Sequence, residues 1–344
     1  LLITAPVVFE RVKSMPNWLS GAIFIPIVAQ IWIAPIQMYY FNSFSLYSIF
    51  ANIVILPFVT VVSFGGFISA VLALIKPLAC HVCMIFDFVL NPVLSGLVAI
   101  SDYFANLPHS LVQMPQPSIW QIFLYYAIVL LITLLFKFGK DIKLIITTGI
   151  LAIILILSCL PINLNPKLET ITFDVQNADA FLIKTPKNKY FIIDTGKMGY
   201  KGGKTQAQMV ILAYLKDKGI KNIEGLIITH FDSDHAGGAL DLIENLNIKT
   251  IYVNSLKDKS HLAQKIYKSS KNTKLAKNKE IIYKENNLTI KNFVSDFKGE
   301  NLENENSIRT LVSDKDFNEL FMADVGILAF EKIKKYLPKK IEVL

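Results

Sequence analysis

Charge is scarce in the first half of this 344-residue chain. Only six Lys or Arg and four Asp or Glu residues precede residue 166, whereas residues 166–344 carry 29 and 23. Of the whole chain, 53% is hydrophobic. Such an uncharged first half excludes an ordinary soluble globule. We therefore expect a transmembrane domain over 1–165 and a soluble domain over 166–344, with the boundary at the proline-flanked segment 161–166.

Cysteine is also scarce, and no N-terminal signal peptide is recognisable. The three cysteines, Cys80, Cys83 and Cys159, all lie in apolar stretches, so no disulfide framework is indicated. The sequence opens without an initiator Met or a basic segment followed by a cleavage site, which excludes a signal peptide at this position. We expect the chain to be a fragment that begins within a longer protein.

Long apolar runs fill the first half. Each is near or above the roughly 20 residues that a helix needs to cross a bilayer, and they predict five crossings, at about 18–38, 44–75, 80–105, 118–136 and 144–160. The second run is overlong and contains Pro57 and Gly65-Gly66. It therefore predicts either a kinked helix or two shorter, partly re-entrant helices.

The few cations predict the orientation of these helices, because Lys and Arg near helix ends remain on the cytoplasmic side. With five crossings, one face receives all six of them: Arg11, Lys13, Lys76, Lys137, Lys140 and Lys143. The uncharged loops 41–43 and 106–117 fall on the other face. The last helix then places residues 166–344 on the external face of the plasma membrane.

The second half alternates short β-branched runs with amphipathic helices. Strands that pair as meanders, with helices over their outer faces, predict an α/β fold of the αββα sandwich type. The predicted strands are 169–175, 180–185, 189–195, 225–229, 249–253, 281–283, 288–294, 308–312 and 320–323, and the predicted helices are 207–218, 238–245, 261–269 and 327–336.

Residues 230–235 concentrate ligand-type side chains directly after a predicted buried strand. Two imidazoles and two carboxylates, His230, Asp232, Asp234 and His235, stand within six residues. Unpaired charges at such a place resist desolvation, and a divalent metal removes that cost. Mixed imidazole and carboxylate ligands suit zinc, manganese or iron. The alternative is a polar loop that happens to contain two histidines.

The His-x-Asp-x-Asp-His sequence resembles the metallo-β-lactamase motif of ComEC-type competence proteins. Further segments resemble the same family in its order: 41–57 resembles the competence segment, and 173–180, 193–196, 306–307 and 321–324 resemble segments of the metallo-β-lactamase domain. This resemblance implies DNA uptake in natural transformation. One strand would pass through the membrane domain while an external nuclease domain hydrolyses phosphodiester bonds.

The resemblance also implies roles for individual residues. Two divalent ions, zinc or manganese, would be held by His230, Asp232, Asp234, His235 and Asp324, and Asp234 would also orient the attacking water. Asp194 would fix the orientation of a ligand, or act as an ordinary turn former. Asp324 would bridge the ions, or cap a helix. The substrate would contact Asp174, Asp179, Asn306 and Ser307.

The chain departs from the family pattern at three places. Gln176-Asn177-Ala178 stands where Gly-Gln-Gly is usual, and Ala323 stands where Gly is common, although a β-carbon penalises positive φ. A final His-His-Gly-Ser segment is expected beyond Leu344, so a ligand would be missing and the truncated chain inactive. His261 is predicted to be a surface residue.

Two other functions remain open at this point. The first is a transporter whose external domain binds DNA without cutting it. The second is a phosphodiesterase that acts on envelope polymers. The expected partners are DNA, membrane lipid and other proteins of the uptake machinery.

The predicted orientation is tested by fusing alkaline phosphatase, which is active only outside the cytoplasm, after residue 166. We expect an active fusion there and after residue 115, and an inactive fusion after residue 75, on the cationic face. Activity after residue 75 but not after residue 166 would reverse the orientation.

Overall fold

The computed structural model describes residues 2–75, 79–139, 141–160, 166–270, 272–298, 304–315 and 317–343. Lys76, Lys140 and most of the predicted linker lie outside these described residues. The chain divides into two units, Leu1–Pro161 and Ile162–Leu344. The boundary predicted at residue 165 lies in the undescribed segment and stays a prediction.

The first unit is helical. Its helices are α1 Thr4–Arg11, α2 Asn17–Phe41, α3 Ser48–Leu72, α4 Ala79–Ala105, α5 Ile119–Phe138 and α6 Ile142–Cys159. Among the described residues, five helices are long and apolar enough to cross a membrane, and they correspond to the five predicted runs. The prediction of several apolar helices is confirmed.

The overlong run forms one continuous helix. Helix α3 spans 25 residues and contains Pro57, so the alternative of two shorter, re-entrant helices is wrong. A continuous helix pairs nearly all of its backbone groups internally, which an apolar environment requires.

Two contacts fix the ends of the first unit. Strand β1, Ser43–Ser45, pairs antiparallel with β2, Leu111–Gln113, and thereby joins the two uncharged loops. Elsewhere in this unit, the Arg11 guanidinium donates hydrogen bonds to the carbonyl oxygen of Phe136, with the shorter at 2.6 Å. Arg11 and Lys137 therefore lie at the same end of the helical unit, as the predicted five crossings require.

The second unit contains two main sheets. Its strands are β3 Glu169–Thr172, β4 Phe181–Lys184, β5 Tyr190–Ile193, β6 Asn222–Ile223, β7 Gly225–Ile228, β8 Asn247–Ile248, β9 Ile251–Val253, β10 Thr273–Leu275, β11 Glu280–Glu285, β12 Leu288–Phe293, β13 Arg309–Asp314 and β14 Phe317–Phe321. One sheet has six strands in the order β10-β9-β7-β5-β4-β3, the other has four in the order β11-β12-β13-β14, and β6 pairs with β8 separately. The helices are α7 Leu212–Asp217, preceded by a π-helical turn at Ala207–Ile211, α8 Ala239–Asn245, α9 His261–Ser269 and α10 Ile327–Lys334.

Alternation along the strands divides the apolar residues among three cores. Successive side chains of a strand point to opposite faces. Ile227 in β7 packs between the two sheets with Ile290 and Val312, whereas its neighbours Leu226 and Ile228 pack against the helices on the other face. A third core lies between the four-stranded sheet and α10. The order helix, sheet, sheet, helix confirms the predicted sandwich.

Strand ends differ most from the predictions. Strand β14 ends at Phe321, two residues before the predicted end, because the backbone turns at Ala323, where φ is 52°. The short strands β6, β8 and β10 were not predicted, because two or three residues are too few to show a period.

Candidate metal centre

The predicted ligands converge at one edge of the sandwich because of how the strands run. Strands β5 and β7 are parallel, so Asp194 and His230, which follow them, meet at the same edge. In the other sheet, β14 ends beside the start of β13, which brings Asp324 to the side of residues 306–308. The amide of Ile308 donates to the carbonyl of Thr229 at 3.0 Å and links the two sheets there.

Two histidines and one aspartate form the centre of this cluster. His230, His235 and Asp324 each offer a ligand atom within 4.8 Å of the others. The Nε2 of His235 lies 3.3 Å from Asp324 Oδ2, and the Nε2 of His230 lies 3.9 Å from the same oxygen. Two ligands about 2.1 Å from one tetrahedral ion are roughly 3.4 Å apart. The distance from Asp324 to each imidazole is therefore close to the distance between two ligands of one ion.

One buried nitrogen atom of this cluster indicates that a cation would be stabilising there. The Nε2 of His230 is buried and has no hydrogen-bond partner in the part of the chain that the structure describes, and the centroids of the two imidazoles are only 4.1 Å apart. A buried polar atom without a partner is costly. A cation between the rings and the carboxylates would satisfy this nitrogen, so the donor set fits a divalent metal.

Asp194 orients this cluster from beneath. Its buried carboxylate accepts hydrogen bonds from the amide and the hydroxyl of Thr229, both at 2.8 Å, and contacts Nδ1 of His235 at 2.8 Å. A carboxylate on Nδ1 holds the proton on that nitrogen and directs the lone pair of Nε2 towards a metal. Asp194 also adopts a left-handed φ of 55°, which aspartate tolerates better than most residues.

Negative charge is in excess around His235. Burial acts to lower the pKa of His235, but the hydrogen bond with Asp194 and the charges of Asp194, Asp324 and Asp179 raise it from 6.5 to about 9. Burial and the charges of Asp194, Asp324 and Asp234, opposed by His235, raise the pKa of Asp179. Without a metal, these carboxylates stabilise a proton on His235, which indicates an environment suited to positive charge.

The two remaining motif carboxylates lie at the rim. Asp232 Oδ2 is 3.5 Å from Nε2 of His230, and the carbonyl oxygen of Asp232 accepts from the amides of His235 and Ala236. Asp234 is half-buried, and its carbonyl accepts from the amide of Asp179 at 3.4 Å. The carboxylates of Asp234 and Asp179 are near enough for Asp234 to raise the pKa of Asp179.

The two glycines after the motif are required by close backbone contacts. A β-carbon on Gly237 would lie 2.1 Å from the carbonyl oxygen of Ser233, and one on Gly238 would lie 2.2 Å from the Cβ of Ala207. No side chain fits at either position. The turn is therefore held directly against the backbone beneath it and leads into α8.

The residues predicted to contact substrate lie in different surroundings. Asp179 Oδ2 is 3.9 Å from Nδ1 of His235 and joins the cluster, whereas Asp174 is exposed. The side-chain amide of Asn306 exchanges two hydrogen bonds with the backbone of Phe297. Ser307 is fully buried, and its hydroxyl has no hydrogen-bond partner among the residues described. Asn306 and Ser307 thus shape the loops beside the cluster.

Two further outcomes concern single residues. Helix α10 is capped at Gly326, and Glu305 accepts the amide of Ala329 at 2.8 Å, so the capping role considered for Asp324 is wrong. His261 is exposed, as predicted. Thr229, which fills two acceptor sites of Asp194, was missed because a threonine at a strand end carries no distinctive signal.

Comparison with known proteins supports the same division of the chain. Residues 1–139 match the family model described as Competence protein, and residues 174–305 match the Metallo-beta-lactamase superfamily. The chain combines a competence domain with a metallo-β-lactamase domain. The competence domain and its apolar helices indicate a membrane protein, and the metallo-β-lactamase fold is typical of metal-dependent hydrolases.

Two curated relatives match the chain over different lengths. ComE operon protein 3 of Bacillus subtilis is 24% identical over 262 residues, which cover 73% of this chain and 33% of the relative. Recombination protein 2 of Haemophilus influenzae is 35% identical over 96 residues, covering 26% of this chain and 12% of the relative. The chain thus spans about a third or less of these relatives. A solved metallo-β-lactamase mutant from Cronobacter sakazakii has 16% identity and a TM-score of 0.31, covering 46% of this chain and 62% of that one.

The departures from the family pattern produce two non-glycine residues in left-handed conformations. Gln176 has φ 53° and Ala323 has φ 52°. Ala323 directly precedes Asp324 of the cluster, and Gln176 lies three residues before Asp179. The turns therefore form without glycine, at a cost of about 1 kcal/mol each.

Replacing Asp194 by asparagine tests its orienting role. The amide nitrogen of the new side chain would face Nδ1 of His235, so the imidazole proton would move to Nε2 and block the ligand atom. We expect affinity for Mn²⁺ or Zn²⁺ to fall about 10- to 100-fold in equilibrium dialysis. Asp174→Asn, which alters an exposed carboxylate of the same domain, is the control and should bind as the native protein does. Equal affinity of Asp194→Asn and the native protein would exclude the role.

Replacing Ala323 by glycine tests the strain at the turn before Asp324. We expect the free energy of unfolding of the metallo-β-lactamase domain to rise by roughly 0.5–1 kcal/mol. Because all three tryptophans precede residue 166, hydrogen exchange of β13 and β14 across a urea series is the suitable measurement. Ala239→Gly, at the buried first residue of α8, should instead lower it by about 1 kcal/mol, because it adds backbone freedom and removes a packed methyl group. A loss of stability in both variants would contradict the strain.

Proposed function

We propose that the metallo-β-lactamase domain hydrolyses DNA phosphodiester bonds, within a membrane protein that takes up DNA in transformation. The observation that carries the proposal is the cluster of His230, His235 and Asp324, in which a buried imidazole nitrogen has no hydrogen-bond partner among the described residues. The competence domain that precedes it supplies the substrate class.

Two divalent ions, zinc or manganese, are the proposed cofactors. His230, Asp232 and Asp324 would hold one ion, and Asp234, His235 and Asp324 the other. When bound, such ions lower the pKa of a coordinated water and stabilise charge on the phosphate. The Oδ2 of Asp324 lies within 4 Å of both imidazoles, which supports the proposal that Asp324 would be a ligand of both ions.

The protein groups have separate tasks in this reaction. Asp194 would fix the imidazole of His235, and the half-buried Asp234 would orient the attacking water. A cavity of about 620 Å³ adjoins His230 and Asp232, and its other walls include Asn254, Lys257, Lys259 and Asn306. This size is in the usual range for ligand sites. The two lysines offer contacts for phosphate.

Localisation follows from the membrane half. We place the protein in the bacterial plasma membrane with the metallo-β-lactamase domain on the external face, where incoming DNA arrives. One strand would be hydrolysed outside while the other passes between the apolar helices. DNA, membrane lipid and other proteins of the uptake machinery are then its partners.

A second candidate is a transporter whose metallo-β-lactamase domain binds DNA without cutting it. The left-handed Ala323 next to Asp324 favours it, because strain beside a ligand opposes a well-ordered site. The buried hydrogen bonds of Asp194 oppose it, since they maintain the orientation that a metal needs.

Cleavage of fluorescent single-stranded DNA by the purified full-length protein separates the two candidates. With Mn²⁺ or Zn²⁺ we expect cleavage that a chelator abolishes, and Asp324→Asn should lower the rate at least about 100-fold. His261→Ala removes an exposed histidine of the same domain and should leave the rate unchanged.

Metal content measured on the same samples makes the result decisive. A protein that binds metal and DNA but cuts no DNA would exclude the nuclease and support the pure transporter. Hydrolysis of small phosphodiesters with none of DNA would instead indicate the envelope phosphodiesterase.

A further inference from the structure

A basic, glycine-rich loop borders the metal centre. Residues 196–204, Gly-Lys-Met-Gly-Tyr-Lys-Gly-Gly-Lys, contain three lysines and one tyrosine and no acidic residue. We refer to them as the Tyr200 loop. All but Gly196 and Gly199 are exposed, and the Tyr200 side chain is 83% exposed.

The Tyr200 loop is folded into a defined turn. The amide of Gly203 donates to the carbonyl of Tyr200 at 2.9 Å, and Lys201 and Gly202 adopt left-handed φ values of 49° and 79°. A β-carbon on Gly199 would lie 1.9 Å from the carbonyl oxygen of Gly203. The backbone crosses itself closely at this point, so the turn restrains the backbone of Tyr200, and the Tyr200 side chain is exposed.

The same loop is attached to the turn at residues 230–235, which we refer to as the metal-binding turn. The amide of Met198 donates to the carbonyl of Ser233 at 3.1 Å, and Ser233 lies between Asp232 and Asp234. At the base of the loop, Gln206 accepts the amide of Lys197 at 2.5 Å and donates to the carbonyl of Val175 at 2.6 Å. The base of the loop is therefore held against residues 232–234, and Tyr200 follows it two residues after Met198.

An outward aromatic ring between cations is what an unpaired nucleic-acid strand requires. Bases stack on aromatic side chains, and lysines contact the phosphates between them. Lys201 Nζ lies 5.4 Å from the Tyr200 ring centroid, with Lys197 and Lys204 on either side in sequence. Two further lysines, Lys257 and Lys259, line the cavity that adjoins the metal-binding turn at His230 and Asp232.

We propose that the Tyr200 loop binds single-stranded nucleic acid, with Tyr200 stacking on a base and the loop lysines contacting phosphates. The inference rests on the proposed function and specifies its substrate as a strand with unstacked bases. A membrane surface is the other class of partner that lysine and tyrosine suit. The single Met and single Tyr offer little apolar area for insertion, and the bond to Ser233 favours a partner located at the metal centre.

Binding is measured on the whole protein in detergent, with chelator present, so that cleavage cannot contribute. Tyr200→Ala should weaken binding of a single-stranded oligonucleotide about ten-fold at fixed salt. Tyr200→Trp, which keeps a stacking surface, should bind within about two-fold of the native protein. Binding of a duplex should change little, because its bases are already stacked.

Tyr336→Ala is the matched control, since Tyr336 is also exposed and its ring contacts Lys279 and Lys335. It should bind single strands as the native protein does. Unchanged single-strand affinity of Tyr200→Ala would overturn the proposal, and so would an equal loss in Tyr200→Ala and Tyr336→Ala.

Two other outcomes separate this inference from the proposed function. A native protein that never cuts DNA, yet binds single strands through Tyr200, would remove the nuclease and leave the loop's role standing. Loss of binding to anionic phospholipid vesicles in Tyr200→Ala, with unchanged affinity for the oligonucleotide, would overturn the inference in favour of the membrane surface.

Discussion

The buried carboxylate of Asp194 connects the fold to the site. It follows β5, bonds to Thr229 at the end of the parallel strand β7, and contacts His235 on the far side of the metal-binding turn. One side chain thus ties two strand ends to a ligand. Because it occupies Nδ1 of His235, it leaves Nε2 directed towards Asp324 of the other sheet. The geometry of the centre depends on this arrangement more than on any single rim carboxylate.

The sequence predicted much of the molecule where its periodicity is strong. Apolar runs of about 20 residues indicated the five membrane helices, and short β-branched runs such as 225–228 and 288–293 indicated strands of a two-sheet sandwich. The cluster at 230–235 was visible because its side chains are adjacent in sequence. Asp324 lies far further along the chain, and it was identified by resemblance to a family rather than from spacing.

The remaining features depend on tertiary contacts that no local pattern encodes. Asn306 was expected to contact substrate, yet its amide bonds to the backbone of Phe297. Thr229 and the Tyr200 loop were missed because isolated polar residues and glycine-rich turns acquire meaning only from their neighbours. Ala323 and Gln176 show that turns usually made by glycine also form with other residues when surrounding contacts hold them.

Metal content of the purified protein tests the central claim most directly. Elemental analysis should find bound manganese or zinc, and added metal should raise the unfolding temperature of the metallo-β-lactamase domain, with both effects lost in His235→Ala. A protein that binds no divalent metal, and that added metal leaves unchanged in stability, would contradict the account of residues 230–235.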